Sequence, residues 1–186
     1  MSETDIPSDL SAELEALALA AAALPSVSAP SAVLGRVLQS TQHLHRFERY
    51  AATVAALLDV SLHEASAKLD RLDQPGAWQP GLFRGMELLH VTGGPAVANA
   101  VTGFVRIAAG KEFPEHEHLG QESVLVLQGR CVDGDKVFGP GDLAQMPTGS
   151  SHSFQVCAGP DLLYLAVVQT GVKVGGMVLT PDDPLA

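Results

Sequence analysis

The sequence predicts a mainly β protein, a single barrel or jelly roll preceded by a helical extension. Three observations predict it. From Gly85 onward the chain breaks into many short apolar runs separated by Gly and Pro turns, the pattern of a closed or sandwiched antiparallel sheet. Before Asp73-Gln74-Pro75-Gly76 the apolar residues instead fall at helical spacing. No internal repeat is visible, so one barrel is expected rather than two.

Residues 1–10 are polar and read as a disordered tail, with Ser8 or Asp9 able to cap a helix beginning just after them. The helical region spans 11–75. Ser11 to Leu24 is rich in Ala and Leu, with Leu10, Leu14, Leu17 and Leu24 near helical spacing. Pro25 to Pro30 breaks the chain. Ser31 to His45 reads as a second helix and Arg46 to Leu58 as a third. A fourth starts at Ser61 and ends near Leu72, opened by the capping box Ser61-x-x-Glu64. Trp78 suits a hydrophobic anchor between helices and barrel.

The barrel is expected over 82–180. Its strands are expected at Met86–Val91, Val101–Ile107, Ser123–Leu127, Cys131–Asp133, Lys136–Phe138, Leu143–Met146, His152–Val156, Leu162–Val168 and Val172–Val178. Phe104 to Gly110 and Ser123 to Leu127 flank a turn at Leu119–Gly120–Gln121, which suggests a strand pair framing the segment between them.

Two stretches inside this region carry chemistry. The first runs from Gly110 to Gly129 and contains His116, His118 and Glu122; the second runs from Gly141 through Pro147, Thr148 and Gly149 to His152. Residues two apart on a strand face one side, so His116 and His118 project together. Glu122, just past the turn, can aim at the same place, and His152 arrives from a third strand. Three imidazoles and a carboxylate form a mixed nitrogen and oxygen donor set without thiolate. It suits Zn²⁺, Fe²⁺, Mn²⁺, Ni²⁺ or Cu²⁺ and disfavours Ca²⁺ and Mg²⁺. Zn²⁺, the first expectation, can be closed by four protein ligands; iron, manganese or nickel would keep one or two positions open. The joint spacing of the two stretches outweighs a chance His-x-His in a solvated hairpin.

Both stretches resemble the two motifs of the cupin superfamily. The match holds at Gly110, His116, His118, Glu122 and Gly129, and again at Gly141, Pro147, Gly149 and His152. The second motif usually ends in Asn four residues after its His; here Val156 stands there. The resemblance covers about Met86 to Val178. Within cupins, three segments resemble the cupin-like domain of ChrR-type anti-sigma factors: Phe113-Pro114-Glu115-His116-Glu117-His118-Leu119-Gly120, Val124-Leu125-Val126-Leu127-Gln128-Gly129, and Phe138-Gly139-Pro140-Gly141-Asp142. That resemblance implies a metal-binding domain in a cytoplasmic regulator that responds to oxidative stress. A sigma factor or another regulatory protein is the candidate partner, but in that family sigma-factor binding belongs to a separate N-terminal zinc domain and is not itself implied here. The family's separate N-terminal zinc domain carries a His-x3-Cys-x2-Cys signature. The only cysteines here are Cys131 and Cys157, so that signature is absent. The stretch Leu14 to Gln42 looks like the segment that comes after the zinc domain in such proteins.

With 11 basic against 21 acidic residues, the net charge is −10. A chain this acidic, with no basic stripe, is a poor nucleic-acid binder. The Met-Ser-Glu-Thr-Asp start has no positive n-region, and Leu17 to Leu24 is too short to span a bilayer. A cytoplasmic location without membrane attachment is therefore expected. Cys131 and Cys157 read as buried reduced thiols on barrel strands, with a redox pair as the sharper alternative.

His43 and His45, two apart on a helix, are expected at the surface, and His63 and His90 are expected to be structural. A homodimer is expected, since pairing with a second copy is a common way to cover a barrel's edge strands. The competing function is an enzyme, most naturally an Fe²⁺ dioxygenase on a small organic substrate, with Arg106 and Gln145 near the site in sequence but neither diagnostic of a base or substrate clamp. A metal site kept only for stability is the third reading.

Overall fold

The computed structural model describes residues 45–181 apart from Pro75, together with Val33 and Asp183. The first expected helix lies outside the described residues, as does the second except for helical Val33 and for His45. Residues His43–Ala186 form one compact unit.

Two short helices open this unit. A 3-10 turn at Glu48–Tyr50 leads into α1 (Ala51–Leu58), and α2 (Leu62–Asp70) runs on into a 3-10 turn at Arg71–Asp73. The third and fourth expected helices are therefore real but shorter, each tightened at one end. Helix α1 stops at Asp59, which takes a left-handed conformation with φ 54°. The capping box forms as expected: Glu64 N–H donates to Ser61 Oγ at 3.2 Å, and Ser61 N–H donates to the Glu64 carboxylate at 2.9 Å. His45 sits exposed in a turn at φ 58° rather than at a helix end, 3.2 Å from the half-buried Asp70 carboxylate.

Twelve strands complete the unit: β1 (Gln79–Pro80), β2 (Met86–His90), β3 (Ala100–Ile107), β4 (Glu112–His118), β5 (Glu122–Gln128), β6 (Cys131–Asp133), β7 (Lys136–Phe138), β8 (Leu143–Met146), β9 (Ser151–Val156), β10 (Leu162–Gln169), β11 (Val172–Val174) and β12 (Met177–Leu179). They form two six-stranded antiparallel sheets, β1-β2-β3-β10-β5-β8 and β12-β11-β4-β9-β6-β7. This is the expected jelly roll.

Strand β10 shows how the layers stack, because it is apolar on both faces. Leu163, Leu165 and Val167 join a cluster with Val54, Leu58 and Leu69 of the helices. Leu162, Tyr164, Ala166 and Val168 face the interior between the sheets. The two helices thus seal the outside of one sheet, and the same sheet's other face lines the barrel. Trp78 takes the anchoring role expected of it. It packs against the helical cluster, and its indole N–H donates to the Leu72 carbonyl at 3.1 Å.

Two expectations are corrected. The single strand expected over Val172–Val178 is a hairpin, β11 and β12, turned by Gly175 and Gly176 at φ 55° and 85°. Two consecutive positive φ angles match the twist that a two-residue hairpin needs, and glycine supplies them without strain. The segment around Leu119–Gly120–Gln121 does not join a strand pair. Strand β4 pairs with β9 and β11, whereas β5 pairs with β10 and β8. The turn is a crossover from one sheet to the other.

Candidate metal centre

The site is built where that crossover brings the sheets together. In the β4–β9 ladder, His116 lies directly across from His152. His118 stands two residues further on, and Glu122 opens β5 in the facing sheet. The chain can turn so tightly here because Gly120 lacks a side chain: a Cβ there would fall 2.1 Å from the Gln169 carbonyl oxygen. The side chains of Glu115 and Glu117 alternate with the histidines and point away.

One donor atom from each of His116, His118, Glu122 and His152 lies within 4.8 Å of the other three, the scale of one coordination sphere. His118 is fully buried, His116 is 5% exposed and Glu122 7%. The imidazole centroids are 4.4 to 5.0 Å apart. All four residues singled out from the sequence are brought together.

The hydrogen bonds around the rings fix their tautomers. His116 Nδ1–H donates to the Pro114 carbonyl at 3.0 Å. His152 Nδ1–H donates to the Asp133 carboxylate at 2.7 Å. Ser150 Oγ–H donates to the Pro147 carbonyl at 2.6 Å, which leaves the hydroxyl oxygen to accept from His118 Nδ1–H at 3.0 Å. Each Nδ1 therefore carries the proton, and each Nε2 turns a lone pair inward. His118 Nε2 and His152 Nε2 are buried and have no hydrogen-bond partner. Glu122 approaches His118 Nε2 to 2.8 Å, yet the pair is not aligned as a hydrogen bond and the nitrogen has no proton to give. A lone pair facing a buried carboxylate is costly by itself and is resolved by a cation between them. The donor set therefore fits a metal ion.

Burial pushes the His116 pKa down to about 4. His152 and His118 add to the depression, and the Pro114 carbonyl and Glu122 oppose it. The ring is thus neutral at ordinary pH, the form that ligates. Burial also holds Tyr164, on the interior face of β10, well above the usual phenol range, with Glu122 and Cys131 adding to the effect.

His116, Glu122 and His152, with His118 buried behind them, open onto a cavity of about 110 Å³ between the sheets. Its wall is mainly apolar, with Phe113 and Phe154 stacked at 5.2 Å on the histidine side. Val156 does not reach it as a polar group would, being buried in the interior cluster. Arg106 and Gln145 are not at the site. Arg106 donates to Glu87 at 2.7 Å and lies 4.4 Å over the Trp78 ring, and Gln145 is exposed on β8.

Asp133 and Ser150, which orient two of the rings, were not singled out from the sequence. Ser150 stands two residues before His152, a spacing that could have flagged it. Asp133 carries no local signal, since only the β6–β9 pairing brings it to His152. His90, expected to be structural, lines the cavity. Cys131 is buried on β6 as expected, its thiol pushed up to about 11 by burial and then by Asp133 and Cys157. Cys157 departs from expectation: it is half-buried and lies just past the end of β9.

No helix among the described residues is long and apolar enough to cross a membrane. No curated protein matches the chain significantly. Among solved structures, Rhodobacter sphaeroides SigE in complex with the anti-sigma ChrR is similar at 22% identity and TM-score 0.50, covering 85% of this chain and 77% of that chain. An RmlC-like cupin protein from Ralstonia eutropha JMP134 is similar at 21% identity and TM-score 0.49, covering 56% and 73% of the two chains. An acetylacetone dioxygenase from Acinetobacter johnsonii is similar at 14% identity and TM-score 0.42, covering 57% and 75%. At these identities the likeness is one of fold. The sequence profile of the ChrR Cupin-like domain matches residues 74–171, a span that includes every donor of the site. The chain belongs to the ChrR Cupin-like domain family.

Proposed function

We propose that the barrel binds one divalent transition-metal ion through His116, His118, Glu122 and His152, and that the chain works as a regulatory or sensor module of the anti-sigma type. The observation that carries the metal reading is the outward hydrogen bonding of all three Nδ1 atoms, which leaves unpartnered Nε2 lone pairs facing Glu122. Zn²⁺ is the ion assigned first, with Fe²⁺, Mn²⁺ and Ni²⁺ as alternatives that the same donors accept. When bound, the ion supplies Lewis acidity or an exchangeable coordination position at the inner end of the cavity. Pro114, Ser150 and Asp133 hold the rings in the ligating tautomer.

Family membership supports the regulatory half of the reading. The partner is a sigma factor or another regulatory protein, met in the cytoplasm through residues 11–75, while residues 82–180 act as the metal-responsive barrel. A homodimer is part of the same proposal, favoured by apolar side chains left exposed on the outermost strands, Val137 on β7 and Met177 and Val178 on β12.

The test combines metal analysis of protein purified without added ions with capture of purified sigma factors by the loaded and stripped full-length chain. One equivalent of metal and metal-dependent capture are expected. Full metal loading without capture of any sigma factor, before or after peroxide, would remove the regulatory half. Less than a tenth of an equivalent after reloading would remove the metal half.

A second reading is a mononuclear metal enzyme, most naturally an Fe²⁺ dioxygenase on a small organic substrate. The apolar cavity that opens on the donors favours it. Native Zn²⁺ held in a four-coordinate shell without water would exclude it.

A further inference from the structure

The cavity has a built floor. Across one sheet the register aligns His90 with Gly103, Gly103 with Ala166, Ala166 with Val124, and Val124 with Ala144. All five line the cavity. Four of them are small, so this row leaves open space that larger residues would fill. Glu122 lies two residues from Val124 on β5 and faces the same side, roughly 7 Å away along the strand. His90 stands three strand spacings from Val124, roughly 14 Å measured along the sheet. The row is thus a trough with the metal donors near one end and a fourth imidazole at the other.

The polar groups are distributed unevenly. Three histidines and Glu122 crowd the inner end, with Asp133 behind His152 and 20% exposed. Tyr164 and Thr102 also line the wall, but the Thr102 hydroxyl is already spent on the Val91 carbonyl. Between the ends the wall is Val, Ala, Gly, Leu, Met and Phe. His90 makes no side-chain hydrogen bond or ion pair among the described residues. Desolvation favours its neutral form, so it can donate or accept a hydrogen bond without adding charge.

We propose that the barrel is a receptor for a small monocarboxylic acid with an apolar body, its carboxylate on the metal, its chain along the Gly103–Ala166–Val124 trough, and a hydroxyl or carbonyl near its tail meeting His90. This rests on the reading of His116, His118, Glu122 and His152 as ligands. A divalent ion on three neutral imidazoles and one carboxylate keeps a formal charge of +1, and one anionic head neutralises it inside an apolar wall. A volume of about 110 Å³ holds roughly seven to ten water-sized groups, which sets the ligand near eight carbons at most.

The experiment uses the full-length chain loaded with Co²⁺, whose visible spectrum reports both ion binding and a change of coordination. Acetate through decanoate are titrated in turn. Affinity is expected to rise about fourfold per methylene and to stop rising by about octanoate. Ala166→Leu is expected to keep the Co²⁺ spectrum and lose at least tenfold in octanoate affinity. His90→Ala is expected to leave octanoate unchanged and weaken 8-hydroxyoctanoate about fivefold; this variant carries the test if leucine at 166 prevents folding. Normal Co²⁺ uptake with no chain-length dependence, or with octanoate and its hydroxy analogue equally affected by His90→Ala, would overturn the receptor and leave the metal site standing. Failure to take up Co²⁺ would overturn both.

Discussion

Asp133→Ala tests the site through a residue that touches no metal. The Asp133 carboxylate accepts from His152 Nδ1–H at 2.7 Å, and the two side chains are 20% and 16% exposed. A short, charge-assisted bond of this kind contributes about 1.5–3 kcal/mol. Loss of such support behind a ligating imidazole lowers metal affinity roughly tenfold to a hundredfold, or about 1.4–2.7 kcal/mol. The two routes agree, so Asp133→Ala should weaken Zn²⁺ binding by about that factor. Asp133→Asn keeps an oxygen that can accept from Nδ1–H and loses only the charge, so it should recover part of the deficit. Ser150→Ala, which removes a neutral acceptor from His118, should cost nearer fivefold. The assay is competition for Zn²⁺ against a chelator of known affinity at fixed pH, with thermal melting of the stripped proteins as a control. An Asp133→Ala protein with unchanged affinity, or a loss matched entirely by a lower melting point of the metal-free form, would refute the reasoning.

Replacing a ligand should do more: His116→Ala and Glu122→Ala should each lower metal content sharply while far-UV circular dichroism keeps the helical signal, and full occupancy in both would contradict the assigned donor set. The metal-free protein should lose stability as pH falls from about 6.5 toward 4, because the unfolded chain binds a proton on His116 before the folded chain does. The loss is on the order of 3 kcal/mol from this residue, and urea titrations of wild type and His116→Phe at pH 7 and pH 5 would show it as a pH dependence that the variant lacks. In native protein at pH 8, Cys131 should resist a thiol reagent because burial keeps it protonated, whereas half-buried Cys157 should react. Equal labelling rates would show that the barrel interior is open to solvent.

The donors were legible in the sequence because their spacing is tied to turn chemistry. Gly110 and Gly129 sit at φ 73° and 74°, positions where glycine is the natural choice, and they bracket the crossover that carries Glu122. The capping box at Ser61 was legible for the same local reason. The hidden features depend on pairing between distant segments. Asp133 reaches His152 only because β6 lies beside β9, and His90 reaches the cavity only because Met86, Leu88 and His90 share the inner face of β2. The hairpin of β11 and β12 was hidden by composition: Val172 to Val178 is apolar enough to read as one strand, and only the paired glycines mark the reversal.

His116, His118 and His152 belong to one layer of the sandwich and Glu122 to the other. An ion held by all four is a rivet through both layers. Stripping it would leave the layers joined there by the crossover itself and by packing, with no tie between the donor side chains, so the rim around Glu122 and Ser123 should breathe more while the helix-backed middle of β10 stays shut. Occupancy of the site would then be broadcast mechanically as the stiffness of one rim, a signal that a neighbouring protein can read without touching the ion.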